Sequence, residues 1–168
     1  MKTQTPETNM EPQTAVTLTT NDLLTHWQGH RRVTRRVIEA FPEKDLFNYS
    51  LGGMRPFAQL VMEMLGMATP GLNGIISRKW DRFSDDSAPA TKSELLARWD
   101  ATTEFINEHW SEIPEGRFQE MDVAFGQWEG VVHSTLFYFM DNEIHHRGQG
   151  YVYLRSLGIE PPAFWDRG

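Results

Sequence analysis

The run Asp141-Asn142-Glu143-Ile144-His145-His146-Arg147-Gly148-Gln149 holds the densest set of metal-ligating side chains in the chain. Glu143 and His146 form a Glu-x-x-His pair at i,i+3, the spacing by which helix bundles present carboxylate-rich metal sites. Asp141 and His145 also lie one turn apart. Neighbouring helix positions differ by about 100° in direction, so a single inward face cannot use Asp141, Asn142, Glu143, His145 and His146 together. Arg147 either neutralises Glu143 or Asp141 or contacts a substrate anion; a long cation beside local acids usually forms just an ion pair.

A second pair, His26 and His30, has the i,i+4 spacing that can chelate a metal. No third ligand stands near it, and the adjoining Arg31 and Arg32 favour an exposed basic face. Arg35 and Arg36 extend that row, which reads as a solvated face paired with acids elsewhere or as an anion or partner-chain contact. His109 and His133 are isolated and read as structural histidines. There is no cysteine, which excludes disulfides, thiolate zinc sites and a cysteine nucleophile.

Four amphipathic segments must position these residues. The first runs from about Thr20 to Ala40, with Leu23, Leu24, Trp27, Val33, Val37 and Ile38 at spacings of three and four, Thr20 or Asn21 as cap, and Pro42 as stop. The second opens at Met54-Arg55-Pro56 and carries Phe57, Leu60, Val61, Met64, Leu65, Leu72, Ile75 and Ile76, with Pro70-Gly71 expected to kink or break it. Thr91 and Glu94 have the form of a capping box ahead of a third helix that ends before Pro114. The fourth extends from about Val131 to Leu157, closed by Gly158 and Pro161-Pro162.

Residues Gly116 to Trp128 are apolar without a clean period and predict an irregular connection over a bundle end. No strand pair is evident, so the expected class is an all-α four-helix bundle over residues 19–168, preceded by a loose tail at 1–18 rich in Thr, Pro, Gln and Glu. Gly148 and Gly150 inside the fourth helix suggest close backbone packing or access to a site. Trp27, Phe57, Trp128 and Tyr153 are candidate pocket walls, although helically spaced aromatics first serve the core.

The 168 residues carry a formal net charge of −7, which argues against a nucleic-acid partner. The tail is not a secretory signal and no segment approaches the roughly 20 apolar residues of a membrane span, so a soluble, cytoplasmic protein without a membrane partner is expected.

The run Glu143-Ile144-His145-His146-Arg147-Gly148-Gln149, continued by Tyr153-Leu154-Arg155 and by Gly158 and Pro161-Pro162, resembles the last helix of the DinB family. The resemblance implies an up-down-down-up four-helix bundle, frequently a homodimer, with a divalent metal held by three histidines: two at i,i+4 on the fourth helix and one on the second. Some members use such a metal to activate a low-molecular-weight thiol. The matching positions here are His146, Asn142 and Glu63, so two of the three histidines are replaced.

Glu supplies a charged hard oxygen and Asn a weak neutral carbonyl, which shifts preference toward manganese, iron or magnesium while His146 still admits zinc or nickel. The leading expectation is therefore a metal-dependent S-transferase with a small-molecule thiol co-substrate and an altered Glu63/Asn142/His146 triad. Glu143 and His145 stand as alternative ligands or supporting residues, and Arg147 as a substrate contact. The alternative is a non-catalytic bundle whose vacant or polar site binds a small ligand or partner chain; hydrolysis by a metal-bound water is a third reading.

Overall fold

The computed structural model describes residues 17–81 and 88–168. The tail expected over residues 1–18 therefore lies outside the described residues except for its last two.

Helix α1 has the expected bounds, Thr20–Ala40, and its cap is Thr19, one residue before the first of the two cap positions expected from the sequence. Its Oγ1 accepts from the Asp22 N–H at 3.1 Å, and the Asp22 carboxylate accepts from the Thr19 N–H at 2.9 Å, so two backbone donors without helical partners are satisfied reciprocally. Phe41-Pro42 ends α1, and the chain turns through a short helix α2 (Glu43–Asn48), which the sequence did not reveal and which buries Leu46.

Pro56 precedes helix α3 (Phe57–Ser77). Pro70 leaves α3 unbroken, so one lost hydrogen bond is outweighed by the packing of its apolar face. Helix α4 (Lys92–His109) is capped by Thr91, whose Oγ1 accepts from the Glu94 N–H at 3.2 Å. The Glu94 carboxylate reaches back to the Ala90 N–H at 2.8 Å, one residue beyond the Thr91 N–H of the expected reciprocal bond.

A 3₁₀ turn (Trp110–Glu112) follows α4, and the stretch expected to be irregular holds a second (Arg117–Gln119) and the start of an antiparallel hairpin, β1 (Met121–Ala124) and β2 (Trp128–Val131), paired from Ala124 opposite Trp128 to Met121 opposite Val131. Helix α5 (Val132–Ser156) follows directly. Arg117 holds this region to α3. It is almost wholly buried, donates from Nε to the Ile75 carbonyl at 2.7 Å, and pairs with Glu120 and Asp122.

Two core clusters fix the helix directions. At one end, Val37 and Phe41 from the end of α1 meet Phe57 and Leu60 from the start of α3, Leu95 from the start of α4 and Tyr153 from the end of α5. At the other, Trp27 meets Leu72 and Ile75, Ile106, and Leu136. Hence α1 and α5 run one way and α3 and α4 the other, the expected up-down-down-up bundle. Helix α5 packs between α1 and α3, and α4 closes the opposite side against the same two.

No helix among the described residues is long and apolar enough to cross a membrane.

Candidate functional site

Because α5 packs between α3 and α1, its polar residues are read by two neighbours. One row, Asn142 and His146, faces α3; another, Glu143 and Arg147, faces α1.

On the α3 side, Glu63 is the centre. Its Oε1 accepts from His146 Nε2 at 2.9 Å and from Asn142 Nδ2 at 3.3 Å, while Oε2 pairs with the Arg55 guanidinium at 2.5 Å. Burial pushes the Glu63 carboxyl up, but the hydrogen bonds from His146, Arg55 and Asn142 outweigh it and hold it down at about 2. His146 is buried, whereas the Glu63 side chain is about one-third exposed (34%) and Arg55 half exposed, so the cluster opens to solvent past Arg55. Asn142 Oδ1 and His146 Nδ1 are buried without a hydrogen-bond partner. Leaving such atoms unpaired costs about 1–3 kcal/mol each.

The structure thus brings Glu63, Asn142 and His146 together. Arg55, named above only as part of a helix opening, is the member that sequence reasoning missed. It precedes α3, and no spacing rule links it to Glu63.

Glu143 and Arg147 are not brought to this cluster. Glu143 is buried on the α1 side, accepting from Thr34 Oγ1 at 2.6 Å, with one guanidinium nitrogen of Arg31 and one of Arg147 each 3.9 Å from its oxygens. Arg147 is likewise buried and donates to the His30 carbonyl, to Thr34 Oγ1 and to His30 Nδ1. Its guanidinium is committed to α1, which leaves the substrate-contact role without a geometric basis. His145 is exposed and bonded to Gln149. The Glu-x-x-His pair therefore splits between the two neighbours of α5.

The exposed basic face expected on α1 is also corrected. His30 and Arg31 are buried, the latter stacked 4.0 Å over Trp99, because α5 and α4 cover that side of α1. Burial first, then Arg147, Arg167 and His26, push His30 down to about 3, so it is neutral. His26 and His30 place their Nε2 atoms 3.2 Å apart. However, Arg147 donates to His30 Nδ1, which puts the ring proton on Nε2, pointing at His26, and blocks chelation.

The other basic residues do satisfy partners elsewhere. Arg35 forks onto Asp100 at 2.7 and 2.9 Å, and Arg32 donates to the Arg167 carbonyl. His109 bonds Glu112 and His133 bonds the Phe118 carbonyl, as structural histidines do. Of the candidate pocket walls, Trp27, Phe57 and Tyr153 are core residues, and Trp128 lines a cavity.

Among the described residues, no group of three or more His, Asp or Glu side chains is placed to hold a metal ion. The Glu63 cluster supplies two such groups plus the Asn142 amide, and its donors fit a weak, oxygen-rich cation site. Metal–ligand bonds of about 2.0–2.2 Å put neighbouring donors about 3 Å apart, as Glu63 Oε1 and His146 Nε2 are, and exchanging the two ends of the Asn142 amide turns its unpartnered Oδ1 toward Glu63.

The depressed Glu63 pKa has a measurable consequence. A carboxyl whose folded pKa lies below its unfolded one contributes stability above the unfolded value, about 4.5, that is lost as pH falls through about 2. The urea midpoint of the native protein should fall relative to that of Glu63→Gln across this window. Parallel curves would show that Glu63 is not held ionised by its neighbours.

A family model described as the DinB family matches residues 13–166. Two solved structures are similar over nearly their whole length. A DinB-like protein from Bacillus subtilis is 21% identical, covers 86% of this chain and 98% of its own, and superposes with a TM-score of 0.70. A DinB-like protein from Bacillus cereus is 17% identical, covers 85% and 95%, and gives a TM-score of 0.68. No curated protein matches the chain.

Proposed function

Since the chain belongs to the DinB family, we propose that Glu63, Asn142 and His146 hold a hard divalent cation and that the site serves transfer of a low-molecular-weight thiol to an electrophile. The observation that carries this reading is the convergence of these three side chains from α3 and α5, with Asn142 Oδ1 buried and unpartnered beside a carboxylate held ionised. Two oxygen donors and one imidazole favour manganese, iron or magnesium over zinc or nickel.

When bound, such an ion supplies Lewis acidity that lowers the pKa of a thiol or water beside it. The chain's own residues do the rest. Glu63 contributes its negative charge, and before an ion binds its 2.9 Å contact keeps the His146 ring turned into the site. Arg55, at the solvent edge, is the group able to leave Glu63 for an incoming anionic substrate, since an ion pair this exposed is worth at most about 1 kcal/mol. The homodimer belongs to the same proposal and draws support from the exposed apolar row Phe137, Ile144 and Val152 on α5.

The second reading, a metal-free polar site, draws on that same ion pair, because Arg55 already neutralises Glu63. Metal analysis of untagged protein separates the two. The metal reading expects near-stoichiometric manganese, iron or magnesium, lost in Glu63→Ala and His146→Ala, and at least about tenfold tighter zinc binding in Asn142→His, where an imidazole replaces a weak carbonyl. Substoichiometric metal, indifferent to all three changes, sinks it. If metal is bound, consumption of a thiol only in the presence of an electrophile marks a transferase, and product formation without thiol marks a hydrolase.

A further inference from the structure

One cavity is used neither by the Glu63 cluster nor by the core. It measures about 290 Å³ and lies between the hairpin, the first turns of α5 and Met67 of α3. Phe125, Trp128, Tyr138 and Phe139 give it aromatic walls, and Glu129 is the single carboxylate of its lining. Trp128 and Tyr138 are 61% and 58% exposed, so large aromatic surface is left facing water at its mouth. Glu63, Asn142 and His146 do not line it, although Met67 and Tyr138 stand one turn along from Glu63 and Asn142.

The rings are arranged as a corner. Phe125 meets Trp128 at 6.0 Å with planes 81° apart, and meets Phe139 at 6.4 Å and 67°. Edge-on contacts of this kind leave ring faces, where aromatic quadrupoles are negative, available to a guest. Glu129 makes no side-chain hydrogen bond or ion pair among the described residues, in a protein of net charge −7. Both features select for a cation carrying an apolar body.

The backbone adds an independent sign. Phe125 has φ +53° and Gly126 φ +69°, so both central residues of the turn that the Gln127 N–H closes on the Ala124 carbonyl, within the three-residue hairpin loop, are left-handed. Asn or Asp is the usual first residue there, and a side chain as bulky as phenylalanine costs about 1–2 kcal/mol in that region. The cost is borne at the one turn position that places a ring in the corner, and such strain tends to cluster at ligand sites.

We propose that this cavity binds a small organic ammonium ion with an apolar or aromatic substituent, its cationic head set against the ring faces and Glu129. The proposal does not depend on the metal reading, and its test is run with excess chelator so that the two fail separately.

Full-length protein is titrated with benzyltrimethylammonium and with the neutral, near-isosteric benzyl dimethyl carbinol, following the tryptophan indole N–H signals by NMR. The expected result is saturable binding of the cation that shifts the Trp128 indole, at least about tenfold weaker binding of the carbinol, and a loss of about tenfold in Trp128→Ala and in Glu129→Gln. Both substitutions fall on exposed side chains, and unchanged melting of each variant confirms that the fold is intact. Binding of the carbinol as tight as that of the cation, indifference to both substitutions, or no saturation by millimolar cation overturns the proposal.

Discussion

Replacing Glu143 by alanine should cost about 3–5 kcal/mol of folding stability, because it removes the only buried carboxylate among the described residues and strands two buried guanidiniums. Arg31 and Arg147 are 1% and 4% exposed and each reaches toward Glu143. His30, which accepts from Arg147, is neutral and supplies no compensating charge. Carbonyls of Trp99 and His30 accept from the two arginines but cannot balance them.

Within the buried cluster two guanidiniums face one carboxylate, Asp100 being a further acid whose field reaches Arg31, and this fixes an order of effects. Arg147→Met leaves a one-to-one Arg31–Glu143 pair and should therefore cost clearly less than Glu143→Ala. For a chain of this size the larger loss lowers the melting temperature by about 6–20 °C. Urea unfolding of both variants checks the order. If Arg147→Met proved the costlier change, Glu143 would not be the group that balances the pair.

This cluster also shows where sequence reading stops. The four long helices are legible because their apolar residues recur at three and four, and the bundle direction follows from the resemblance of one run. Within α5, however, two polar rows lie side by side. Both Asn142/His146 and Glu143/Arg147 have helical spacing, and only the presence of α3 on one side and α1 on the other decides which row meets which partner. Spacing alone made Glu143 a candidate ligand; tertiary packing made it the anion of an ionic core.

The hairpin escaped for a local reason. Its turn uses Phe125-Gly126 where Asn-Gly or Asp-Gly would have signalled it, and each strand is only four residues long. The Glu63 cluster was partly legible: Glu63, Asn142 and His146 converge as the family resemblance implied. Arg55 was not, because it reaches Glu63 from outside the helix, where no periodicity applies. The same limit hid the burial of Arg31, whose side looks basic in sequence and is covered by Trp99 in space.

Two glycines one turn-half apart on α5 should respond to alanine with opposite signs. At Gly148 an added Cβ meets nothing within 4 Å, so Gly148→Ala removes only the entropic cost of glycine in a helix and should stabilise by about 0.5–1 kcal/mol. At Gly150 the Cβ would lie 2.5 Å from the Phe57 ring. That ring is fully buried and stacked on Phe41 at 4.9 Å, so it cannot swing aside cheaply. Overpacking of this kind costs about 1–3 kcal/mol, more than the helix propensity gained, so Gly150→Ala should lower the melting temperature while Gly148→Ala raises it.

The contrast reaches the candidate site, because Phe57 opens α3 two residues after Arg55, and the Arg55 carbonyl is held by the Tyr153 hydroxyl at 3.0 Å. Pushing Phe57 away from α5 should therefore loosen Arg55 from Glu63, and the acid-side loss of stability assigned to Glu63 should shrink in Gly150→Ala and persist in Gly148→Ala. A rise in melting temperature for both variants would mean that α5 does not approach α3 this closely, and the placement of His146 against Glu63 would fall with it.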